Sequence, residues 1–203
     1  MAEAALAYVE QDDRFEIIEG VKFMAPAANP NHATIINRLY SSFERYADEH
    51  PDLDIGVFTD NIEIRLDKSN VIRPDISIVC NLNMVQRYRA LFDLPDLAVE
   101  VLSPSTAQRD RSVKKSLYER NGVREYWIVD PKNKSVEVYH LVDGNFELDG
   151  VYHGLTDAEL EELDDEDRES IKHDITVSIL PDLIIDIRRI FRWWGRTIDG
   201  RVN

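Results

Sequence analysis

Only one cysteine, Cys80, occurs in the 203 residues. An intrachain disulfide and a cysteine-rich zinc cluster are both excluded, and Cys80 reads as a small core residue. Long apolar runs are also missing: the longest, Ala4 to Val9, has six residues, against the roughly 18 of a membrane-spanning helix. No span of a bilayer and no membrane partner are expected. The N-terminal stretch carries Glu3 and Glu10 where a secretory signal has basic residues and an apolar segment, which points to the cytoplasm. Glycine is sparse, and among its eight residues no two stand as G-x-G, so neither a dinucleotide fingerprint nor a P-loop is present. G-x-S-x-G is absent too. The five histidines, at positions 32, 50, 140, 153 and 173, contain no i, i+4 pair. That argues against a histidine zinc site, although His32, in its loop, is placed to contribute to a pocket.

What is present suits a packed globular chain. Hydrophobic residues make up 43% of the sequence, and a chain of this length buries roughly 70% of its unfolded surface. One domain spanning residues 1–203 is expected. The formal net charge of −15 argues against non-specific attraction to nucleic acid, but the charge is unevenly spread. Between Asp157 and Glu169 nine acidic residues face Arg168 alone, a local −8 that leaves −7 for the remainder. Residues 156–170 therefore read as an acidic surface insertion, helical or mobile. Conversely, Arg109, Arg111, Lys114, Lys115, Arg120 and Arg124 outnumber Asp110 and Glu119 by four. A second basic stretch contains Arg188, Arg189, Arg192, Arg196 and Arg201. Such runs are ordinarily solvated helix faces, yet both can meet a polyanion locally.

Periodicity supplies the elements. Phe15 to Ile18 and Val21 to Met24 read as a hairpin about Glu19-Gly20. Ile35, Ile36, Leu39, Tyr40, Phe43, Tyr46 and Ala47 recur at helical spacing from His32 to Glu49, and Pro51 ends the helix. From Ile55 to Leu66 the alternation suggests one long strand with a bulge near Asp60-Asn61. Ile76 to Val79 and Leu97 to Leu102 read as central strands. Ser105-Thr106-Ala107-Gln108 has capping-box spacing, opening a helix that Gly122 stops and whose first amides form a phosphate cradle. Glu125 to Val129 is a strand; Asp143-Gly144 joins two more, Ser135 to Val142 and Asn145 to Leu148. Ile175 to Leu180 and Leu183 to Ile187 complete the strands, and Arg188 to Trp194 reads as a C-terminal helix. Tyr126-Trp127 lies within a strand and reads as core rather than as a base-stacking pair. Three successive strands without an intervening helix exclude a βαβ alternation and favour a mixed α/β sheet.

Two carboxylates stand out. Asp75 follows Pro74 at the start of one apolar strand, and Glu100 interrupts Leu97-Ala98-Val99-Glu100-Val101-Leu102. A carboxylate in so apolar a run is costly unless it is paired or cation-bound. On successive strands the two can converge at one sheet edge and offer hard oxygen ligands to Mg²⁺. Read singly, Pro74-Asp75 is also a turn signal, and Glu100 also suits a salt-bridged core residue. Asp110, Lys114 and Tyr118 recur every four residues on one helix face, with Lys115 about 100° away; the bland alternative is a surface ion pair between Asp110 and Lys114.

Pro-Asp followed twenty to thirty residues later by Glu-x-Lys is the signature of the PD-(D/E)XK nucleases. This sequence has Leu102 where that lysine would stand. The surrounding residues, Val99-Glu100-Val101-Leu102-Ser103-Pro104-Ser105, then Asp110, Lys114, Tyr118, Gly122-Val123 and Glu125-Tyr126-Trp127-Ile128-Val129-Asp130-Pro131, closely resemble the Uma-two family of restriction endonucleases, in which the lysine has migrated to the helix. The resemblance extends through Phe15 to Gly20 and His32. It implies a restriction-endonuclease-like mixed sheet with an αβββαβ core, appended strands and a C-terminal helix. It further implies Asp75 and Glu100 as metal ligands with a carbonyl near Val101, Lys114 as the displaced lysine, and Glu16, Gln108 and Tyr118 as supporting residues. Mg²⁺, with Mn²⁺ as a substitute, is the implied cofactor and DNA the implied substrate, with Arg109, Arg111 and Lys115 contacting it and a homodimer left open. Leu102 and the overall charge keep a second expectation alive, an inactive nuclease-fold module that binds nucleic acid or a protein partner.

Overall fold

The computed structural model describes residues 15–24, 29–59, 62–80 and 94–192. Strands β1 (Phe15–Ile18) and β2 (Val21–Met24) form the expected hairpin. Helix α1 (Pro30–Glu49) is specified locally: Asn29 caps it by accepting from the His32 amide, and Pro30 occupies the first turn. Its stripe of Ile35, Leu39, Phe43 and Tyr46 is buried. A short 3-10 turn, Pro51–Leu53, leads into β3 (Ile55–Thr59).

The long strand expected from Ile55 to Leu66 is instead two strands in different sheets. Strand β3 joins the main sheet, whereas β4 (Ile64–Arg65) pairs with β5 (Val71–Ile72) in a four-stranded sheet of order β2-β1-β5-β4. The phase slip near Asp60-Asn61 marks a change of sheet rather than a bulge, and those two residues lie outside the described ones. Strands β6 (Ile76–Cys80), β7 (Leu97–Val101), β8 (Glu125–Asp130), β9 (Ser135–Val142) and β10 (Asn145–His153) build the main sheet, of order β10-β9-β8-β7-β6-β3. Among the described strands of this sheet only β7 and β8 pair in parallel; the other neighbours are antiparallel. A helical arm crosses between them in three segments: α2 (Ala107–Arg109), a π-helical turn (Asp110–Lys114) and α3 (Lys115–Asn121). Gly122 ends it at φ 89°, in the left-handed region that glycine enters without penalty. The αβββαβ core is thus α1, β3, β6, β7, the arm and β8.

Both faces of the sheet are covered. Leu97, Val99, Val101 and Trp127 pack toward α1 in one core, while Ala98, Leu102, Tyr126 and Ile128 pack with Leu117 and Tyr118 of the arm in another. Tyr126 and Trp127 are fully buried, in keeping with their reading as core. Cys80 is only partly buried, at the edge of the first core.

Three more expectations need correction. The capping box is not made: the helix starts one residue later, with Thr106 rather than Ser105 at the cap position and no side-chain cap there, while the Ser105 hydroxyl meets that of Ser103 at 3.1 Å and the Thr106 hydroxyl accepts the Ser103 amide at 3.2 Å. Both late strands form but are shorter than expected, β11 (Asp174–Thr176) and β12 (Ile184–Asp186), because Val177, Ile179 and Leu180 turn into the core. The terminal helix is a 3-10 turn, Ile187–Arg189, and Trp193, Trp194, Arg196 and Arg201 lie outside the described residues. The acidic segment forms two helices without a buried residue, α4 (Asp157–Glu161) and α5 (Asp165–Ser170). No described helix is long and apolar enough to cross a membrane.

Candidate active site

Sheet register sets the site. In the antiparallel pair β6 and β7, Ile76 lies opposite Val99, so one residue further Asp75 comes opposite Glu100, and opposed residues project from the same face. That face is the one beneath the helical arm. From the arm, Lys114 reaches Glu100 Oε1 at 2.5 Å and Glu16 Oε1 at 2.8 Å, with Asp110 Oδ1 at 4.0 Å. Tyr118 donates its hydroxyl to Glu100 Oε1 at 2.6 Å. Glu16 arrives from β1, where it shares the inward face with Ile18, and also accepts the Arg73 amide at 3.0 Å. Arg109 closes the cluster, 3.5 Å from Glu16 Oε2 and over the Phe23 ring.

The π turn explains this convergence. In a regular helix each i, i+4 step overshoots a full turn by about 40°, so Asp110, Lys114 and Tyr118 would fan out. The wider turn at Asp110–Lys114 absorbs the overshoot and buries both of its end residues. Lys115, next in sequence, points away and sits 3.6 Å over the Tyr139 ring.

Asp75 holds the other end. Its Oδ2 accepts the Val101 amide at 2.7 Å, and His32 Nε2 lies 2.9 Å from the Val101 carbonyl oxygen and 3.3 Å from the same Oδ2. Among the residues anticipated for a site, Asp75, Glu100, Lys114, Glu16, Tyr118 and Arg109 come together. Gln108 is exposed on the outside of the arm. Arg111 pairs with Asp130 and Glu137 on the far side, and Lys115 is turned outward. Asp110 enters the cluster as a fourth carboxylate, a role its surface-pair reading did not contain; its spacing with Lys114 and Tyr118 was the available signal.

Electrostatics follow from burial and from the excess of acids. Glu16, Glu100 and Asp110 surround Lys114, Arg109 pairs with Glu16, and Asp75 stands close enough to Glu100 and Asp110 to repel them. Burial pushes the Glu100 carboxyl well above the ordinary range; Lys114 pulls it down, and Asp110, Asp75 and Glu16 push it up again. Burial likewise raises Asp110 against the pull of Lys114. Burial works against charge on Lys114 as well, but Glu100, Glu16 and Asp110 outweigh it and hold the ammonium firmly protonated. For Glu16 burial is overcome by Lys114, the Arg73 amide and Arg109, and its carboxyl lies below the usual value. The cluster gathers four acids about two cations, and burial and mutual repulsion favour a shared proton on the Glu100 side.

Oxygen donors suit a hard divalent cation. Among the described residues no three His, Cys, Asp or Glu side chains form a metal cage. Two carboxylates and a carbonyl, completed by water, are what Mg²⁺ ordinarily takes from a protein.

The sequence matches the family described as "Uma2: Putative restriction endonuclease" over residues 2–166. It is 31% identical over 134 residues, 66% of this chain and 69% of the relative, to the uncharacterized protein slr1290 of a Synechocystis species. The fold is similar to the crystal structure of a putative nuclease belonging to DUF820 from Anabaena variabilis, with a TM-score of 0.66 at 20% identity over 87% of this chain and 89% of that one.

Proposed function

The chain belongs to the Uma2 family of nuclease-like proteins, and on that premise we propose that it is a metal-dependent endonuclease that hydrolyses DNA phosphodiester bonds in the cytoplasm. The observation that carries this is the seating of Lys114 Nζ between Glu100 and Glu16, on the face where Asp75 stands opposite Glu100. Leu102, at the position where the superfamily has lysine, is buried in the second core, and the arm supplies the cation in its place.

Asp75, Glu100 and the Val101 carbonyl would hold Mg²⁺ or Mn²⁺. Such an ion, when bound, lowers the pKa of a coordinated water and neutralises charge on the phosphate. Lys114 is locked as an ammonium and so acts as a donor rather than a base, orienting the attacking water or meeting charge that develops on the phosphate. Glu16 fixes the lysine, and Tyr118 fixes the Glu100 carboxyl. Arg109, at the rim, is the cation best placed to receive a neighbouring phosphate, whereas Arg111 and Lys115 belong to the outer surface of the arm.

The test is incubation of the full chain with supercoiled plasmid and Mg²⁺ or Mn²⁺. Wild type should nick or linearise it, and Asp75→Ala and Glu100→Ala should abolish cleavage. Cleavage by Asp75→Ala at the wild-type rate would remove this site from the chemistry. Binding of plasmid without cleavage under either metal would favour the inactive module.

A further inference from the structure

Helix α1 covers the face of the sheet opposite the arm, and its first turn meets the end of β7, where His32 Nε2 is 2.9 Å from the Val101 carbonyl oxygen. Beginning at the neighbouring Asn31, the helix turns a second stripe, Asn31, Thr34, Ile35 and Arg38, to a cavity of about 480 Å³. That volume lies within the roughly 300 to 1,000 Å³ of ordinary ligand pockets. Ile190, Phe191 and Arg192 line the other side. Arg38 ties the two sides together, donating from one guanidinium nitrogen to the carbonyl of Ile190 at 3.0 Å and to that of Arg192. Two arginines and no acid line this cavity, in a chain whose formal net charge is −15.

Apolar walls beside cations suit a flat uncharged ring carried on an anionic chain, which is the constitution of a nucleotide within a strand. We infer that this cavity is a base subsite: it takes the unstacked base of a nucleotide close to the scissile phosphate, while the exposed Arg192 faces that strand's phosphates. Ile35, Ile190 and Phe191 supply the apolar surface against which the base is buried. Arg38 acts by fixing the turn that carries Arg192. The inference rests on the proposed nuclease and adds to it the path of the strand, from Asp75 round the end of the sheet past His32 to the flank of α1. A base must leave its stack to enter, so the favoured substrate is single-stranded or locally unpaired DNA, where that cost is least.

The test compares binding of the full chain, by fluorescence anisotropy without divalent ions, to a single-stranded oligodeoxynucleotide and to an abasic strand of the same length. The strand with bases should bind on the order of tenfold more tightly. Thr34→Phe, which fills the cavity from its helical side, should abolish that preference. Arg192→Gln should keep the preference, weaken binding of both strands and lower the salt slope by about one. The wild-type comparison together with Arg192→Gln decides the matter if Thr34→Phe fails to fold. Equal affinity for the two strands in a protein that cleaves plasmid would overturn the subsite and leave the nuclease standing. A preference that survives in folded Thr34→Phe would overturn the assignment to this cavity, and a changed oligomeric state of that variant would then give the cavity to a second copy of the chain. No binding of either strand, with no cleavage of plasmid under Mg²⁺ or Mn²⁺, would overturn both readings.

Discussion

Replacing Lys114 by methionine keeps the length of the side chain and removes its charge from a place where only 3% of the side chain is exposed. Glu100, Glu16 and Asp110, now 2.5, 2.8 and 4.0 Å from its Nζ, then lose the cation between them. Removing one partner of a buried ion pair costs about 3 to 5 kcal/mol, because the remaining charge is left uncompensated. For a chain of this size 1 kcal/mol is worth about 2 to 4 °C in melting temperature, which gives a fall of about 6 to 20 °C at pH 7. Lys115→Met is the control. It removes the same charge one residue away, where the lysine is worth about 0.5 to 1 kcal/mol over the Tyr139 ring, and its fall should be at most about 4 °C. Thermal melts by circular dichroism without divalent ions measure both. Protonation of the stranded carboxyls should shrink the Lys114→Met deficit at pH 5 relative to pH 7. In plasmid cleavage Lys114→Met should lose a factor on the order of 10² or more, as for a missing transition-state donor, and Lys115→Met should retain nearly full activity. Equal melting shifts in the two variants would refute the buried cluster as the seat of Lys114, and equal cleavage would remove it from the mechanism.

Glu100 has its carboxyl raised by burial and by neighbouring acids, so its folded form binds a proton more tightly than the unfolded chain does. Its stabilising contribution is full below the unfolded pKa of about 4.3 and is lost as pH rises through the folded value. Urea midpoints of metal-free protein should therefore fall as pH rises above about 4.3, and Glu100→Gln should flatten that slope; an unchanged slope would place the proton elsewhere. Glu16, held low by Lys114, acts in the opposite sense only as pH falls below about 4.3. Gly154→Ala drives a methyl into the Phe191 ring and should cost about 1 to 3 kcal/mol as an overpacked contact, with metal binding intact at low temperature; a melting temperature equal to wild type would show that Phe191 yields freely.

Elements specified within a few residues are legible in the chain itself. Asn29, Pro30 and the stripe from Ile35 to Tyr46 contain the start, the face and the length of α1. Asp143-Gly144, both at positive φ, contains the turn between β9 and β10. Asp75 and Glu100 are conspicuous because a carboxylate beside an apolar strand has few cheap explanations. Their shared face needs no more than the pairing of two strands.

What depends on the meeting of distant segments is not legible. Alternation from Ile55 to Leu66 records which residues are buried but not in which sheet, so one strand and two strands read alike. Ser105 and Gln108 have the residue types and spacing of a capping box, yet the helix starts one residue later and the Ser105 hydroxyl meets that of Ser103 instead. Glu16 lies 98 residues from the lysine it holds, and no local pattern records that the four-stranded sheet packs beneath the arm. His32 is visible only as a histidine in a loop; the sheet edge beside β6 gives its ring a carbonyl and a carboxylate to face. The sequence alone determined which groups could do the chemistry, because residue type and burial period are local properties. The tertiary structure decided how far inward they converge, through a π turn that propensity does not encode, because the free energy of that turn lies in the buried ion pairs it brings together.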